Sequence, residues 1–235
     1  MIIAANLKTN LTRVETLEYL KSLEMCLSKN NITQEVLVFP ATSSIVAHTG
    51  KITVCAQNAY GAIKGAYTGE IGSVHLDEFG IKTILIGHSE RRHVLGESQE
   101  ELVKKFDFYK NLGFKIVYCV GEPLEVREAG FDNMMEYISK QYEGIDTNYE
   151  NLIIAYEPVW AIGTGLTPTN EDIASLHKEL KKKSLAPLLY GGSVKVSNAK
   201  EVLSIDAVDG VLVGGAALNA QDFCEMCKIA QEIEK

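Results

Sequence analysis

The sequence predicts a closed barrel of eight parallel strands alternating with helices, formed by residues 1–235 as a single domain. Three observations support this fold class. Eight short apolar runs rich in β-branched residues recur along the chain, helix-type segments lie between them, and no linker interrupts the alternation. Eight runs in 235 residues correspond to roughly 29 residues per unit, about the length of one strand–helix repeat.

The predicted strands are mostly apolar along their whole length, which is typical of parallel strands covered on both faces. In chain order they are Ile2–Leu7, Glu35–Phe39, Ile52–Gln57, Thr83–Gly87, Lys115–Val120, Leu152–Glu157, Pro187–Gly191 and Gly210–Gly214. A doubly wound open sheet is the alternative, but no G-x-G-x-x-G motif follows the first run.

Three of the intervening segments begin with a capping-box pattern, in which a hydroxyl residue is followed three positions later by an acidic one. The patterns are Thr12-x-x-Glu15, Ser98-x-x-Glu101 and Thr169-x-x-Asp172. Apolar residues at helical spacing follow each of them, such as Leu17, Leu20, Leu23 and Leu27 after the first. Gly113 is well placed to end the second helix.

The overall composition excludes several function classes. The net charge of −8 argues against a nucleic-acid or anionic-membrane partner, because both require a positive field. The N-terminus has no cationic segment before its apolar stretch, and no apolar run reaches about 18 residues. Five scattered cysteines are too few for a disulfide-built scaffold, so a reducing, cytoplasmic setting is the simplest interpretation.

Ionisable residues occur where three of the predicted strands end, and the strand ends are where barrels of this class carry their chemistry. Glu157 could act as a base, His88 could polarise a carbonyl oxygen, and Lys8 could supply a fixed positive charge. Each residue alone has an ordinary interpretation, as a solvated lysine, a hydrogen-bonded histidine or a solvated carboxylate. Their joint occurrence at strand ends favours proton abstraction next to a carbonyl.

Glycine-rich segments follow the last two predicted strands, at Gly191-Gly192-Ser193 and at Gly214-Gly215. Such segments let backbone N–H groups approach an anion closely, and a helix opening at Gly215 would add to the effect. Either pair alone could be a tight turn. Together, at the two strands where barrels of this class bind phosphate, they predict a phosphate site.

The segment Pro158–Pro168 directly follows the candidate base and combines apolar residues with two glycines. An exposed apolar loop is a liability unless it closes over something. We therefore interpret it as a lid that excludes water from the reacting substrate.

Taken together, the motifs resemble those of the triosephosphate isomerase family, after which the barrel fold is named. The matching segments are Asn6-x-Lys8, Gly87-His-Ser-Glu-Arg-Arg92, Cys119-Val-Gly-Glu122, Tyr156-Glu-Pro-Val-Trp-Ala-Ile-Gly-Thr-Gly165, Tyr190-Gly-Gly-Ser-Val194 and Val213-Gly-Gly-Ala216. They follow the family's order from the first strand to the last. The second and fourth segments are highly specific.

The resemblance implies an aldose–ketose isomerase of glycolysis and gluconeogenesis. It would interconvert dihydroxyacetone phosphate and D-glyceraldehyde 3-phosphate through an enediolate, without a metal or an organic cofactor. The resemblance implies that Glu157 is the catalytic base and that His88, as a neutral imidazole, is the electrophile. This pairing is the family's well-known example of acid–base tuning, so the two roles come from the resemblance. The other implied site residues are Asn6 and Lys8 on the substrate, Glu90 as a supporting carboxylate, and Gly163, Ser193, Gly214 and Gly215 on the phosphate.

The loop Gln57–Glu70 resembles the family's projecting loop that inserts into a second subunit. It implies a homodimer in which Thr68 reaches towards the partner's active site. The alternative is a mobile surface loop, although apolar and aromatic residues are poor choices for free exposure.

One position departs from the family pattern. Where the family usually has Ala near the end of the lid, this chain has Pro168, which has no N–H to donate to the hydroxyl of Tyr190. Closure would then depend more on the contact between Gly163 and phosphate and on Trp160 packing near Glu122.

Cys224-x-x-Cys227 could be a metal or redox pair, but no second Cys/His pair is near it, and its apolar neighbours favour helix packing.

A different phosphate-binding barrel enzyme would share the glycine-rich site without needing both specific motifs. A catalytically silent barrel would be expected to lack Lys8, His88 or Glu157, and all three are present.

Overall fold

Eight parallel strands form one sheet in the order β3-β2-β1-β8-β7-β6-β5-β4. Their bounds are β1 Ile2–Asn6, β2 Glu35–Phe39, β3 Ile52–Val54, β4 Thr83–Ile86, β5 Lys115–Val120, β6 Leu152–Tyr156, β7 Leu188–Tyr190 and β8 Gly210–Val213. The structure, a computed structural model, describes residues 1–162 and 168–233. The predicted barrel is confirmed, and each strand lies within its predicted run.

The barrel closes between β3 and β4 through a single parallel bridge, from Ala56 to Ile84. The amide of Ala56 donates to the Thr83 carbonyl at 3.0 Å, and the amide of Leu85 donates to the Ala56 carbonyl at 2.9 Å. The third strand is shorter than predicted, because after Val54 regular pairing gives way to the bridge at Ala56 and to the bond of 2.8 Å from the Cys55 amide to the Val38 carbonyl.

The helices among the described residues lie between the strands in chain order. They are α1 Arg13–Lys29, α2 Ser73–Asp77, α3 Ser89–His93, α4 Gln99–Asn111, α5 Leu124–Glu128, α6 Phe131–Lys140, α7 Asn170–Leu180, α8 Val196–Leu203 and α9 Ala220–Glu232. All three predicted capping boxes are present, at the starts of α1, α4 and α7. Of the leucines predicted on α1, Leu20, Leu23 and Leu27 are buried, whereas Leu17 is exposed.

Alternating strand residues divide the core into two parts, because successive side chains on a strand point to opposite faces. The smaller part fills the barrel interior and includes Ala4, Leu37 and Cys119. The larger part lies between the sheet and the helices and includes Ile3, Val38 and Phe106. Cys119 is completely buried, as expected, and burial raises the pKa of its thiol well above the ordinary value.

The first and last helices are joined covalently by a disulfide between Cys26 on α1 and Cys224 on α9. The sequence did not predict this bond, because its two cysteines are 198 residues apart and only the packing of α1 against α9 brings them together. Cys227, one turn after Cys224, is a buried free thiol, in line with the predicted packing role for that helix. No helix in the described part of the chain is long and apolar enough to cross a membrane.

Candidate active site

The carboxyl ends of the strands surround a cavity of about 860 Å³. Its lining includes seven of the predicted site residues, namely Asn6, Lys8, His88, Glu157, Ser193, Gly214 and Gly215. An eighth, Glu90, lines a second cavity of about 580 Å³ that shares Asn6, Lys8 and His88 with the first. The ninth, Gly163, lies outside the described residues, as does the middle of the predicted lid.

Glu157 and His88 contact each other directly, although they come from β6 and β4. The Nε2 atom of His88 lies 3.0 Å from Oε1 of Glu157. The other carboxylate oxygen, Oε2, accepts a hydrogen bond of 2.8 Å from the backbone amide of Ser89. Both side chains are buried, so little water competes for these contacts.

The proton of His88 can be placed from its second contact. His88 caps the short helix α3, and its Nδ1 atom accepts a hydrogen bond of 3.2 Å from the backbone amide of Glu90. An acceptor nitrogen carries no proton, so in this geometry the imidazole is neutral and its proton is on Nε2. His88 therefore presents an N–H donor to the cavity.

The pKa values of the pair depend on their contact. Burial lowers the pKa of His88, but the carboxylates of Glu157 and Glu90 together outweigh it, and the pKa lies above the ordinary value. For Glu157 burial raises the pKa, while His88, the Ser89 amide and Lys8 together hold it below the ordinary value. Separation of the pair would remove the largest contribution that opposes burial at each residue, so that the pKa of His88 would fall and that of Glu157 would rise. These are the directions that an electrophile and a base require.

Lys8 is held in an unusual backbone conformation, with φ of 51°. Its amide donates to Oδ1 of Asn6 at 3.1 Å, and its carbonyl accepts from Nε2 of Gln57 at 2.8 Å. The Nζ atom pairs with Oε1 of Glu90 at 2.5 Å. A left-handed non-glycine residue costs about 1–3 kcal/mol, so the surrounding contacts must stabilise it. The contact between Gln57 and the Lys8 backbone was not identified from the sequence.

The glycine-rich ends of β7 and β8 border the same cavity. A Cβ atom at Gly214 would lie 3.4 Å from Cε of Lys8, whereas one at Gly215 would meet nothing within 4 Å. Backbone at Gly215 is thus open to a ligand. The predicted helix start differs here, because Gly215–Leu218 forms a short 3₁₀ turn and α9 begins only at Ala220.

The two arginines after His88 make contacts outside the larger cavity, although Arg91 also lines the second cavity beside Glu90. Arg92 donates from Nε to the Gly87 carbonyl at 2.8 Å and from Nη2 to the Tyr118 hydroxyl at 2.8 Å. Arg91 pairs with Glu97 at 2.7 Å. Gly87 has φ of 77°, and a Cβ there would lie 2.8 Å from Arg92. This cluster holds the end of β4 and thereby the position of His88.

The first part of the predicted lid is anchored to the barrel. Nε1 of Trp160 and the hydroxyl of Tyr156 each donate to Oε1 of Glu122 at 3.0 Å. Glu122 is fully buried, and burial raises its pKa despite these two donors. The hydroxyl of Ser193 donates to the Ala161 carbonyl at 2.7 Å, which connects the predicted phosphate-site segment to the predicted lid.

At the other end of the lid, Pro168 and Tyr190 line a cavity of about 310 Å³. The Tyr190 hydroxyl is buried, and within residues 1–162 and 168–233 it has no hydrogen-bond partner. The same part of the chain holds no group of three or more His, Cys, Asp or Glu side chains arranged to bind a metal ion.

The fold and the site together are those of a phosphate-binding barrel equipped for proton transfer next to a carbonyl. The family model described as triosephosphate isomerase matches residues 1–230. A protein named triosephosphate isomerase from Sulfurimonas denitrificans is 68% identical over the whole of this chain and 98% of its own length. Proteins of the same name from Sulfurovum sp. and Helicobacter pylori (strain P12) are 53% and 49% identical, over 96% and 94% of this chain and 99% and 96% of their own lengths. The chain belongs to the triosephosphate isomerase family.

Proposed function

We propose that this chain, as a single barrel domain, interconverts dihydroxyacetone phosphate and D-glyceraldehyde 3-phosphate in glycolysis and gluconeogenesis. The observation that carries the proposal is the direct contact between the Nε2 atom of His88 and Glu157, 3.0 Å apart, in a cavity that also contains Lys8. This contact supports the proposal, because proton transfer between two neighbouring carbons needs a carboxylate base and an N–H donor close together.

The reaction follows from the roles of these groups. The phosphate lies against Ser193, Gly214 and Gly215, and Lys8 adds positive charge. Substrate displaces the carboxylate of Glu157 from His88, and the carboxylate then takes a proton from the carbon next to the carbonyl. His88 gives its Nε2 proton to the carbonyl oxygen as negative charge develops there and then takes the proton of the neighbouring hydroxyl, so that one proton also moves from one oxygen to the other. The protonated Glu157 returns the proton to the neighbouring carbon, so the substrate is isomerised with no net gain or loss of atoms.

The alternatives differ in substrate or in activity. Another phosphate-binding barrel enzyme would need other chemistry at the strand ends, and a silent barrel would not need the paired base and donor. The proposal also predicts that Gly163 adds a backbone amide to the phosphate when the lid closes, and that Glu90 supports Lys8 through the ion pair of 2.5 Å.

The test is a coupled assay of the purified protein with D-glyceraldehyde 3-phosphate. Glu157→Gln retains the shape of the side chain but removes the base, so kcat should fall at least 1,000-fold, on the order of the effect of removing a catalytic base. Glu136→Gln, on the exposed surface of α6, changes the net charge equally and should retain full activity. Turnover near the wild-type rate in Glu157→Gln would overturn the role of this residue.

We further propose a homodimer formed through the loop Gln57–Glu70, with Thr68 near the partner's active site. Tyr60, Ile63 and Tyr67 on this loop are 40%, 54% and 44% exposed, and a second subunit would cover them. The cavity beside Lys8 and Glu90 offers space for an inserted loop. Light scattering across a dilution series tests this proposal, and a monomer at every concentration would refute it.

The proposed setting is the cytoplasm, and the proposed ligand is an anion despite the net charge of −8. Local groups can hold a dianion in an acidic protein, because Lys8 and backbone amides converge on one cavity while the acidic excess is spread over the surface. Salt-dependent binding of a phosphate ligand at neutral pH would support this local field. Exclusion of phosphate ligands from the cavity would contradict it.

A further inference from the structure

The bond between Cys26 and Cys224 joins α1 to α9, and its Cys26 end lines a groove of about 610 Å³ between these helices. Cys26 is half-buried and lines the groove, whereas Cys224 is completely buried. An external thiolate can therefore reach only one of the two sulfur atoms. Disulfides of cytoplasmic proteins are typically transient or redox-sensing, because the thiol pool of that compartment reduces exposed bonds.

We propose that Cys26–Cys224 is a reversible redox modification site, which a dithiol reductant opens by attack at Cys26. The site is separate from the isomerase chemistry, since neither cysteine lines the active-site cavity.

The exchange balances in two steps. A thiolate of the dithiol attacks the Sγ atom of Cys26, the sulfur–sulfur bond breaks, and Cys224 leaves with the electron pair and takes up a proton. The second thiolate of the reductant then attacks the reductant's first sulfur atom, which is bonded to Cys26 in the mixed disulfide. Cys26 leaves with the electron pair and takes up a proton. The protein gains two electrons and two protons, and the dithiol becomes a cyclic disulfide.

A side chain in the groove stabilises Cys26 as the leaving thiolate of the second step. Nδ2 of Asn30 lies 3.6 Å from the Sγ atom of Cys26, within the reach of a weak hydrogen bond to sulfur. Two cationic side chains, Lys29 and Lys228, and two anionic ones, Asp222 and Glu225, line the groove, so their charges balance. A small dithiol of either charge can therefore enter.

Two features make the bond reversible. Other contacts hold α1 and α9 together, including the hydrogen bond of 3.0 Å from Gln221 to Ser22, so the reduced cysteines remain close. Cys227 is the nearest competing thiol on α9, but burial raises its pKa to about 12, which keeps it protonated and unreactive.

The bond closes a loop that contains almost the whole chain, since its ends are 198 residues apart. Such long loops gain the most from a crosslink in the chain-entropy model. The link also braces the helix that supplies Asp222 and Met226 to the active-site cavity. Reduction should therefore lower the melting temperature by about 5–15 °C, with kcat at moderate temperature changed less than about twofold.

The experiment compares the oxidised and dithiothreitol-treated protein by thermal melting, and counts free thiols by mass spectrometry after alkylation. Reduction should free two thiols, and removal of the reductant under mild oxidation should restore the higher melting temperature. Cys26→Ser should melt like the reduced wild type under both conditions. Cys227→Ser, one turn along the same helix, should retain the full redox-dependent shift.

Three results would overturn the proposal. They are a bond that dithiothreitol does not reduce in the folded protein, a purified protein in which Cys26 and Cys224 do not pair under oxidation, and a redox-dependent shift that persists in Cys26→Ser. If Cys26→Ser does not fold, Cys26→Ala and thiol counting on the wild type provide the same comparison. Isomerase activity is measured separately, so its absence would not bear on this site.

Discussion

Gln57, which follows β3, forms hydrogen bonds to the ends of β1 and β2 next to the active site. Replacing it tests whether these bonds position Lys8. Its Nε2 atom donates hydrogen bonds of 2.8 Å to the carbonyls of Lys8 and Phe39. The Phe39 carbonyl also accepts from the Leu7 amide at 3.0 Å and so retains a partner in a variant. The Lys8 carbonyl is the group that loses its contact in Gln57→Met, a change that preserves side-chain length but removes both donors.

The expected magnitude follows from these contacts. One partly buried carbonyl left unsatisfied costs about 1–3 kcal/mol, and the strained backbone of Lys8 loses a restraint. We expect about 2 kcal/mol less stability, a melting temperature lower by about 4–8 °C, and kcat/KM reduced about 10- to 100-fold as Lys8 moves. Gln57→Glu should be worse, because a carboxylate would face two carbonyl oxygens.

The assays are thermal melting and steady-state kinetics at matched oligomeric state. Gln34→Met is the control, since Nε2 of Gln34 donates to the Ala230 carbonyl at 3.3 Å, away from the active-site cavity. That variant should lose stability without losing kcat/KM. A Gln57→Met protein with wild-type kcat/KM would refute the inference that this side chain positions Lys8.

The remaining predictions concern the charged pair and the lid. In Glu157→Gln the pKa of His88 should fall from above to below its ordinary value, because burial remains while the carboxylate is gone; an unchanged pKa in an NMR titration would contradict this cause. Folding lowers the pKa of Glu157, so the wild type should lose free energy of unfolding as the pH falls below about 4 and this carboxylate is protonated. In acid denaturation, a variant without the carboxylate should not show this loss. Pro168→Ala supplies an N–H at the cavity that Pro168 and Tyr190 both line, and it should shift closure of the proposed lid about fivefold in relaxation kinetics, on the scale of one hydrogen bond. The shift should vanish when Tyr190→Phe is added, and lid kinetics that Pro168→Ala leaves unaltered would show that this proline has no part in closure.

The sequence alone predicted the barrel, because strand and helix patterns repeat and each is a local property. The capping boxes at Thr12, Ser98 and Thr169 were read correctly, since each needs only residues three positions apart. The family and the identity of the strand-end residues were also accessible, because parallel strands bring their carboxyl ends to one edge.

Contacts between distant segments depended on the tertiary structure. The closure of the barrel at Ala56, the contact of Gln57 with Lys8 and the bond between Cys26 and Cys224 each join segments whose spacing in sequence carries no signal. The same holds for the state of the pair: the sequence named His88 and Glu157, but only their 3.0 Å contact determines how each shifts the pKa of the other. The physical reason is that patterning reports which face of an element is buried, whereas distances across the barrel are set by how all the elements pack together.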